Sequence, residues 1–264
     1  MAIPYVASPL QLRVPSQKVF GSDHLPESDG KPMAETDVHR RQMIDLLDCL
    51  EEHFRQDPKV YVTGNIFLYY LNDSGEREQI SPDVFVVRGV EKRDRRIYVV
   101  DEEGKTPEIV IELTSRHTKV EDLGNKRVIY AHLGVQEYFI YDPLQEAFSS
   151  QLQGFRLSGN EYVPMAGKRL HSEVLGLDLV VEAGQLRLYD HATGERLRTY
   201  QEAEAKARAE AEARRIAEAR IAYEAETRRV AERQAQADAE ARRQLQVENA
   251  RLREELARLK TVKS

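Results

Sequence analysis

A single cysteine, Cys49, rules out an intrachain disulfide and suits a reducing compartment. No apolar run approaches the roughly 18 residues of a membrane span, and residues 1–10 lack the charged and apolar regions of a secretory signal. The expectation is a soluble cytoplasmic protein with no membrane partner. The seven histidines are scattered, without the close pair spacing of a zinc site, and so lend no support to a histidine-based metal centre. Positive charge is short as well: before Tyr200 about 24 Lys and Arg face about 32 Asp and Glu, a net charge of roughly −8. Indiscriminate binding of nucleic acid through bulk charge is therefore disfavoured, while a local basic groove remains compatible with the composition.

Glycine and proline are absent from residues 198–260, where Ala, Glu, Arg and Gln dominate; this is the composition of one long helix of about 90 Å. Near its end Leu245, Leu252 and Leu259 recur every seven residues as d positions, with Asn249 and Leu256 at a, the pattern of a parallel coiled-coil homodimer. Upstream of Leu245 the same positions hold Ala, Arg or Glu, so zipping is confined to the final turns. Three regions follow: an extended N-terminal arm over 1–34, an α/β domain over 35–190, and the long helix within 191–264.

The α/β domain is organised around residues 106–143, which read as strand, helix and parallel strand, the length a βαβ crossover needs. In the first strand Ile109, Ile111 and Leu113 point one way, and Val110, Glu112 and Thr114 the other. Glu112 is thus a carboxylate in an aliphatic run, and an unpaired charge there would cost several kcal/mol to desolvate. A buried ion pair or a bound metal would compensate it. Thr118 and Glu121 have the spacing of a capping box, opening a helix that runs to about Leu133 and ends at Gly134. On its helical projection Leu123, Tyr130 and Leu133 define the inward arc and Lys126 falls inside it. That lysine reads either as a stem snorkelling outward beside Asp122 or as part of a site.

Before this stretch, a helix from Thr36 to Phe54 has one apolar stripe, with Glu35 and His39 at its start, where a solvated first turn is the simpler reading and reach into a site the other. Residues 60–64 and 66–70 read as a strand pair or one bent strand around Gly64-Asn65. Asp83 follows Pro82 at the head of a β-branched run, which by itself is ordinary turn chemistry. Lys92, Arg93, Arg95 and Arg96 form a basic cluster, commonly a solubilising loop and alternatively a phosphate contact. Residues 136–190 read as short strands over 137–142, 147–152, 161–164, 174–181 and 185–189, with Tyr138, Phe139 and Tyr141 as core aromatics.

Two acids on neighbouring strands can hold a hard divalent ion, Mg²⁺ or Mn²⁺, with water and a phosphate oxygen completing its shell, while a lysine orients water or offsets developing charge. Spacing alone does not single out Asp83, Glu112 and Lys126. The combined motifs do: Ser81-Pro82-Asp83-Val84, then Ile111-Glu112-Leu113-Thr114-Ser115, then Asp122-Leu123-Gly124-Asn125-Lys126 with Tyr130, Gly134-Val135-Gln136-Glu137-Tyr138 and Asp142-Pro143. Over roughly residues 35–185 these resemble the Uma-family restriction endonucleases of the PD-(D/E)xK nuclease superfamily. The resemblance implies a restriction-endonuclease-like αβββαβ core with added strands, Asp83 and Glu112 as metal ligands and catalytic residues, and DNA as substrate. Thr114 stands where the superfamily has its lysine; the catalytic lysine is then Lys126, on the following helix, as in the Uma group. The alternatives are a catalytically inactive nuclease-fold DNA-binding or scaffold protein that recruits a partner through the coiled coil, and a purely structural helical protein with a globular cap.

Overall fold

The computed structural model describes residues 25–28, 36–115, 120 and 122–261, with side chains as far as residue 254. Most of the expected arm, the Thr118–Glu121 pair and the side chains of Leu256 and Leu259 lie outside these residues. Two compact units are present, residues 1–200 and 201–264.

Helix α1 (Asp37–His53) is capped by Thr36, whose Oγ1 accepts a hydrogen bond from the His39 amide at 3.2 Å. Its buried residues Met43, Leu46, Cys49 and Leu50 recur at helical spacing and form one stripe. Strands β1 (Val60–Thr63), β2 (Leu68–Leu71), β3 (Arg77–Ile80), β4 (Val84–Arg88) and β5 (Tyr98–Val99) follow, then the short helix α2 (Val100–Glu103) and β6 (Ile109–Leu113). A π-helical turn, Asp122–Lys126, runs directly into α3 (Arg127–His132), which ends where Gly134 adopts φ 74°. Beyond it come β7 (Glu137–Tyr141), β8 (Leu152–Ser158), β9 (Glu161–Pro164), β10 (Arg169–Ser172), β11 (Leu177–Glu182) and β12 (Gln185–Asp190).

The central sheet has the order β1-β4-β6-β7-β8-β9, with β4 antiparallel to β1 and β6, and β6 parallel to β7 across the α3 crossover. The succession α1, β1, β4, β6, α3, β7 is the αβββαβ core; β3-β2-β5 and β10-β11-β12 are added three-stranded sheets. The two-residue period of β6 divides the interior. Ile109, Ile111 and Leu113 face α1 and the Leu177, Leu179 and Leu188 side of the third sheet, while Val110 shares the other core with Phe85, Tyr130 and Tyr138. Tyr138, Phe139 and Tyr141 are fully buried.

Two local expectations need correction, and one strand was not anticipated. Residues 60–64 and 66–70 neither pair nor form one bent strand: β1 and β2 lie in different sheets, and the chain crosses between them at Gly64 and Asn65, the latter at φ 57°. Residues 147–152 are not a strand, because the Asp142 carboxylate accepts hydrogen bonds from the Ala147 and Phe148 amides at 2.6 and 3.0 Å and holds that backbone in a loop. The strand starts only at Leu152, and β10, with outward-facing charges, lacked the apolar run that would have announced it.

Glu137, at the start of β7, is a buried junction. Its carboxylate accepts hydrogen bonds from the Ser172 hydroxyl, from the Glu173 amide at 3.0 Å and from Arg156 at 3.0 Å, so it ties the central sheet to β10.

In the second unit, α4 (Tyr200–Thr261) is one unbroken helix of 62 residues laced with four-residue-spaced pairs such as Arg214–Glu218, Arg220–Glu224 and Arg228–Glu232. Leu245, Val247 and Leu252 are exposed along it. Among the described residues no helix is long and apolar enough to cross a membrane.

Candidate active site

Asp83 stands immediately before β4, and its backbone is fixed from the β1–β2 crossing. The Asn65 amide donates to the Pro82 carbonyl at 2.8 Å, and Gly64 lies so close that a Cβ there would come within 1.9 Å of the Asp83 carbonyl oxygen. Because β4 begins where antiparallel β6 ends, with Val84 opposite Ile111, Asp83 arrives beside Glu112. The Leu113 amide donates to Asp83 Oδ2 at 2.7 Å, and the Asp83 amide lies 3.4 Å from Glu112 Oε2. Both acids belong to interior strands of the sheet, at its end and not on an edge strand.

Glu112 is fully buried; its Oε2 lies 2.9 Å from the Lys126 ammonium and its Oε1 accepts a hydrogen bond from the Tyr130 hydroxyl at 2.5 Å. Lys126 also lies 3.3 Å from Asp122 Oδ1. Asp122 is 1 % exposed, and neither of its side-chain oxygens accepts a hydrogen bond among the described residues. Asp122, Lys126 and Tyr130 thus form a stripe at four-residue steps along the π turn and α3, aimed at the end of β6. His39 completes the surround, its Nε2 3.6 Å from Asp83 Oδ1. The three expected residues, Asp83, Glu112 and Lys126, converge, and Lys126 turns inward to the carboxylates instead of snorkelling. Asp122, read from sequence as a helix partner for Lys126 and as part of the family motif, was not among the expected site residues, yet it lies in this cluster; the 122–126–130 step was the available signal. Thr114, where the superfamily's lysine would stand, is buried, and its amide donates to the Tyr141 carbonyl at 2.7 Å.

Burial pushes the Glu112 carboxyl up to about 8; Lys126 pulls it down, the Asp83 and Asp122 charges push it further up, and the Tyr130 hydrogen bond lowers it. Burial works against the Lys126 ammonium, but Glu112, Asp122 and Asp83 outweigh it and hold the lysine pKa above its ordinary value. For Asp83 burial is likewise outweighed, here by His39, Lys126 and the Leu113 amide, and its pKa lies below the ordinary one. Once Glu112 gives up its proton, three carboxylates face one ammonium, an excess of negative charge that a divalent cation would offset. The donors are all oxygens, which suits Mg²⁺ or Mn²⁺. Among the described residues the acids here do not form a close three-ligand cage. The residues present therefore fit a hard divalent ion.

The basic cluster lies elsewhere and is partly consumed in ion pairs. Arg95 is bidentate to Glu103 at 2.7 and 2.9 Å, with its guanidinium 4.3 Å from the Tyr61 ring centre; Arg93 shares Glu103, and Arg96 pairs with Glu27. Arg95 is a packing residue, which neither sequence reading of the loop anticipated.

No curated protein matches the chain. Among solved structures, one whose title reads "putative nuclease belonging to DUF820", from Anabaena variabilis, aligns at 15 % identity with a TM-score of 0.42, over 57 % of this chain and 86 % of that one. The family model Uma2, described as "Putative restriction endonuclease", matches residues 24–186. That span is more than half of the 264 residues and contains Asp83, Glu112, Asp122, Lys126 and Tyr130, so the chain belongs to the Uma2 family.

Proposed function

We propose that this protein is a metal-dependent DNA endonuclease of the cytoplasm that hydrolyses phosphodiester bonds, with two copies joined in a homodimer by the end of α4. Asp83 and Glu112 would hold Mg²⁺ or Mn²⁺, and Lys126 is the cation that meets the phosphate. The observation that carries this reading is the convergence of two buried acids, Glu112 and Asp122, on one ammonium, with Lys126 2.9 Å from Glu112 Oε2 and the half-buried Asp83 beside Glu112. When bound, the ion supplies Lewis acidity at the scissile phosphate and lowers the pKa of a coordinated water.

The chain's own residues do the rest. Tyr130 and the Asp83 amide hold the Glu112 carboxylate in one orientation, and the Leu113 amide does the same for Asp83. Asp83, Lys126 and His39 are the partly exposed members, with side-chain exposures of 17, 14 and 15 %, so a phosphate backbone would approach from their side. The Lys126 ammonium would offset charge growing on the phosphate as water attacks phosphorus and the P–O bond breaks. Plasmid DNA incubated with the protein should be nicked or cut with Mg²⁺ or Mn²⁺ and left intact with EDTA, and Glu112→Gln and Asp83→Asn should abolish cutting while circular dichroism stays unchanged. Unchanged cutting by both variants would overturn the site; DNA binding without cutting by the parent protein would favour an inactive scaffold.

A further inference from the structure

A second constellation of metal-ligating side chains lies on the outer face of the third sheet. His171 and Asp178 are direct cross-strand partners in β10 and β11, and His191 follows the end of β12, where its amide donates to the Gly176 carbonyl at 3.1 Å. Both imidazole Nδ1 atoms reach the same Asp178 oxygen, Oδ1, at 2.9 Å from His171 and 2.8 Å from His191, and the three ligand atoms lie within 4.8 Å of one another. Asp178 is 5 % exposed, and its other oxygen is anchored by Arg169 at 2.9 Å, while Arg169 stacks over Tyr189 at 4.7 Å. The histidines are half-buried and exposed, so an ion can reach them.

We propose that His171, Asp178 and His191 bind a divalent transition-metal ion of borderline softness, Zn²⁺ or Co²⁺ in class, at a site separate from the Asp83–Glu112 centre. Two imidazoles and a carboxylate are the donor set such ions favour over Mg²⁺. Tetrahedral donors on an ion with bonds of about 2.1 Å stand about 3.4 Å apart, so the 2.9 and 2.8 Å separations must open by about half an ångström on binding, which a rotation of the exposed His191 ring allows. The ring centres of His171 and His191 are 3.8 Å apart. On binding, each neutral ring carries its proton on Nε2 and presents Nδ1 to the ion. Arg169 keeps Asp178 aimed, as an outer-shell partner does. His191 lies beyond the 24–186 span matched by the family model.

The test uses the untagged full-length chain, stripped with chelator and titrated with Zn²⁺ by calorimetry and with Co²⁺ by visible absorption. A Glu112→Gln, Asp83→Asn background silences the other centre. The expected result is one equivalent of Zn²⁺ and a Co²⁺ d–d band in that background, both lost in His171→Ala and in His191→Ala. Arg169→Gln should retain the site with affinity lowered about 10- to 100-fold. His191 is exposed, so its variant is expected to stay folded, as circular dichroism will check. Zn²⁺ uptake with unchanged stoichiometry and affinity in both histidine variants, or no uptake by the background protein, would overturn the proposal.

Discussion

Gly64 and Asp83 meet backbone against backbone: the Asp83 carbonyl oxygen occupies the place a Gly64 side chain would need, 1.9 Å from its Cβ position. The first crossing between sheets therefore sets where the first acid of the site stands. Backbone cannot yield as a flexible side chain can. Gly64→Ala should destabilise the fold by about 1–3 kcal/mol and lower DNA cutting by more than the loss of folded protein accounts for. Denaturant melts alongside nicking assays will separate the two effects; a stable variant with normal activity would show that the contact relaxes freely.

The raised Glu112 pKa makes stability depend on pH in a defined direction. Burial lifts it from 4.5 to about 8, so between those values the folded state retains a proton that the unfolded chain has released. With EDTA present, stability should be highest below about pH 4.5 as far as this group is concerned, and should decline as pH rises through about 8. Difference melts of parent and Glu112→Gln across pH 5–9 (about the range of interest) isolate the contribution, because the amide cannot titrate. Parallel pH profiles for the two proteins would refute it.

Removing the ammonium should separate binding from turnover. Lys126→Ala is expected to cut at least about 100-fold more slowly while Mn²⁺ uptake, read by calorimetry, persists. It also leaves Glu112 and Asp122 without their shared cation, so its thermal stability should recover on adding Mg²⁺. Normal cutting would return Lys126 to a structural ion pair.

For α4 the expected outcome is a dimer. Leu245 and Leu252 are exposed at d positions of this helix, which also exposes Ile216, Ile221, Tyr223 and Val230 upstream, and Asn249 at an a position favours a parallel pair in register. Sedimentation should give a dimer at micromolar concentration that becomes monomeric when residues 242–264 are deleted. A monomer in both cases rules the pairing out.

Much of this was legible because local pattern and tertiary position agree. The alternation through Ile109–Leu113 separated the two cores before any coordinates, and Lys126 stood out as a cation inside an apolar arc. The illegible parts depend on pairing across long stretches of chain. Nothing near Gly64 indicates that its neighbour is residue 83. Asp122 looked like an ordinary helix partner because its burial comes from packing against β6 and β7. The histidines, 20 residues apart along the chain, showed no ligand spacing; the register of β10 with β11 and the return of β12 bring them to one aspartate. Arg95 read as part of a basic loop because an aromatic platform built from Tyr61 and Tyr98 is invisible in its own neighbourhood.

The hydrogen bonds gathered by Glu137 also say where the first unit can be cut. A fragment ending before residue 169 would strip that interior carboxylate of its serine and one amide partner, leaving Arg156 to hold it alone at the root of β7. The piece that keeps Glu137 fully bonded must accordingly reach past β10, making this small outer leaf a keystone of the central sheet.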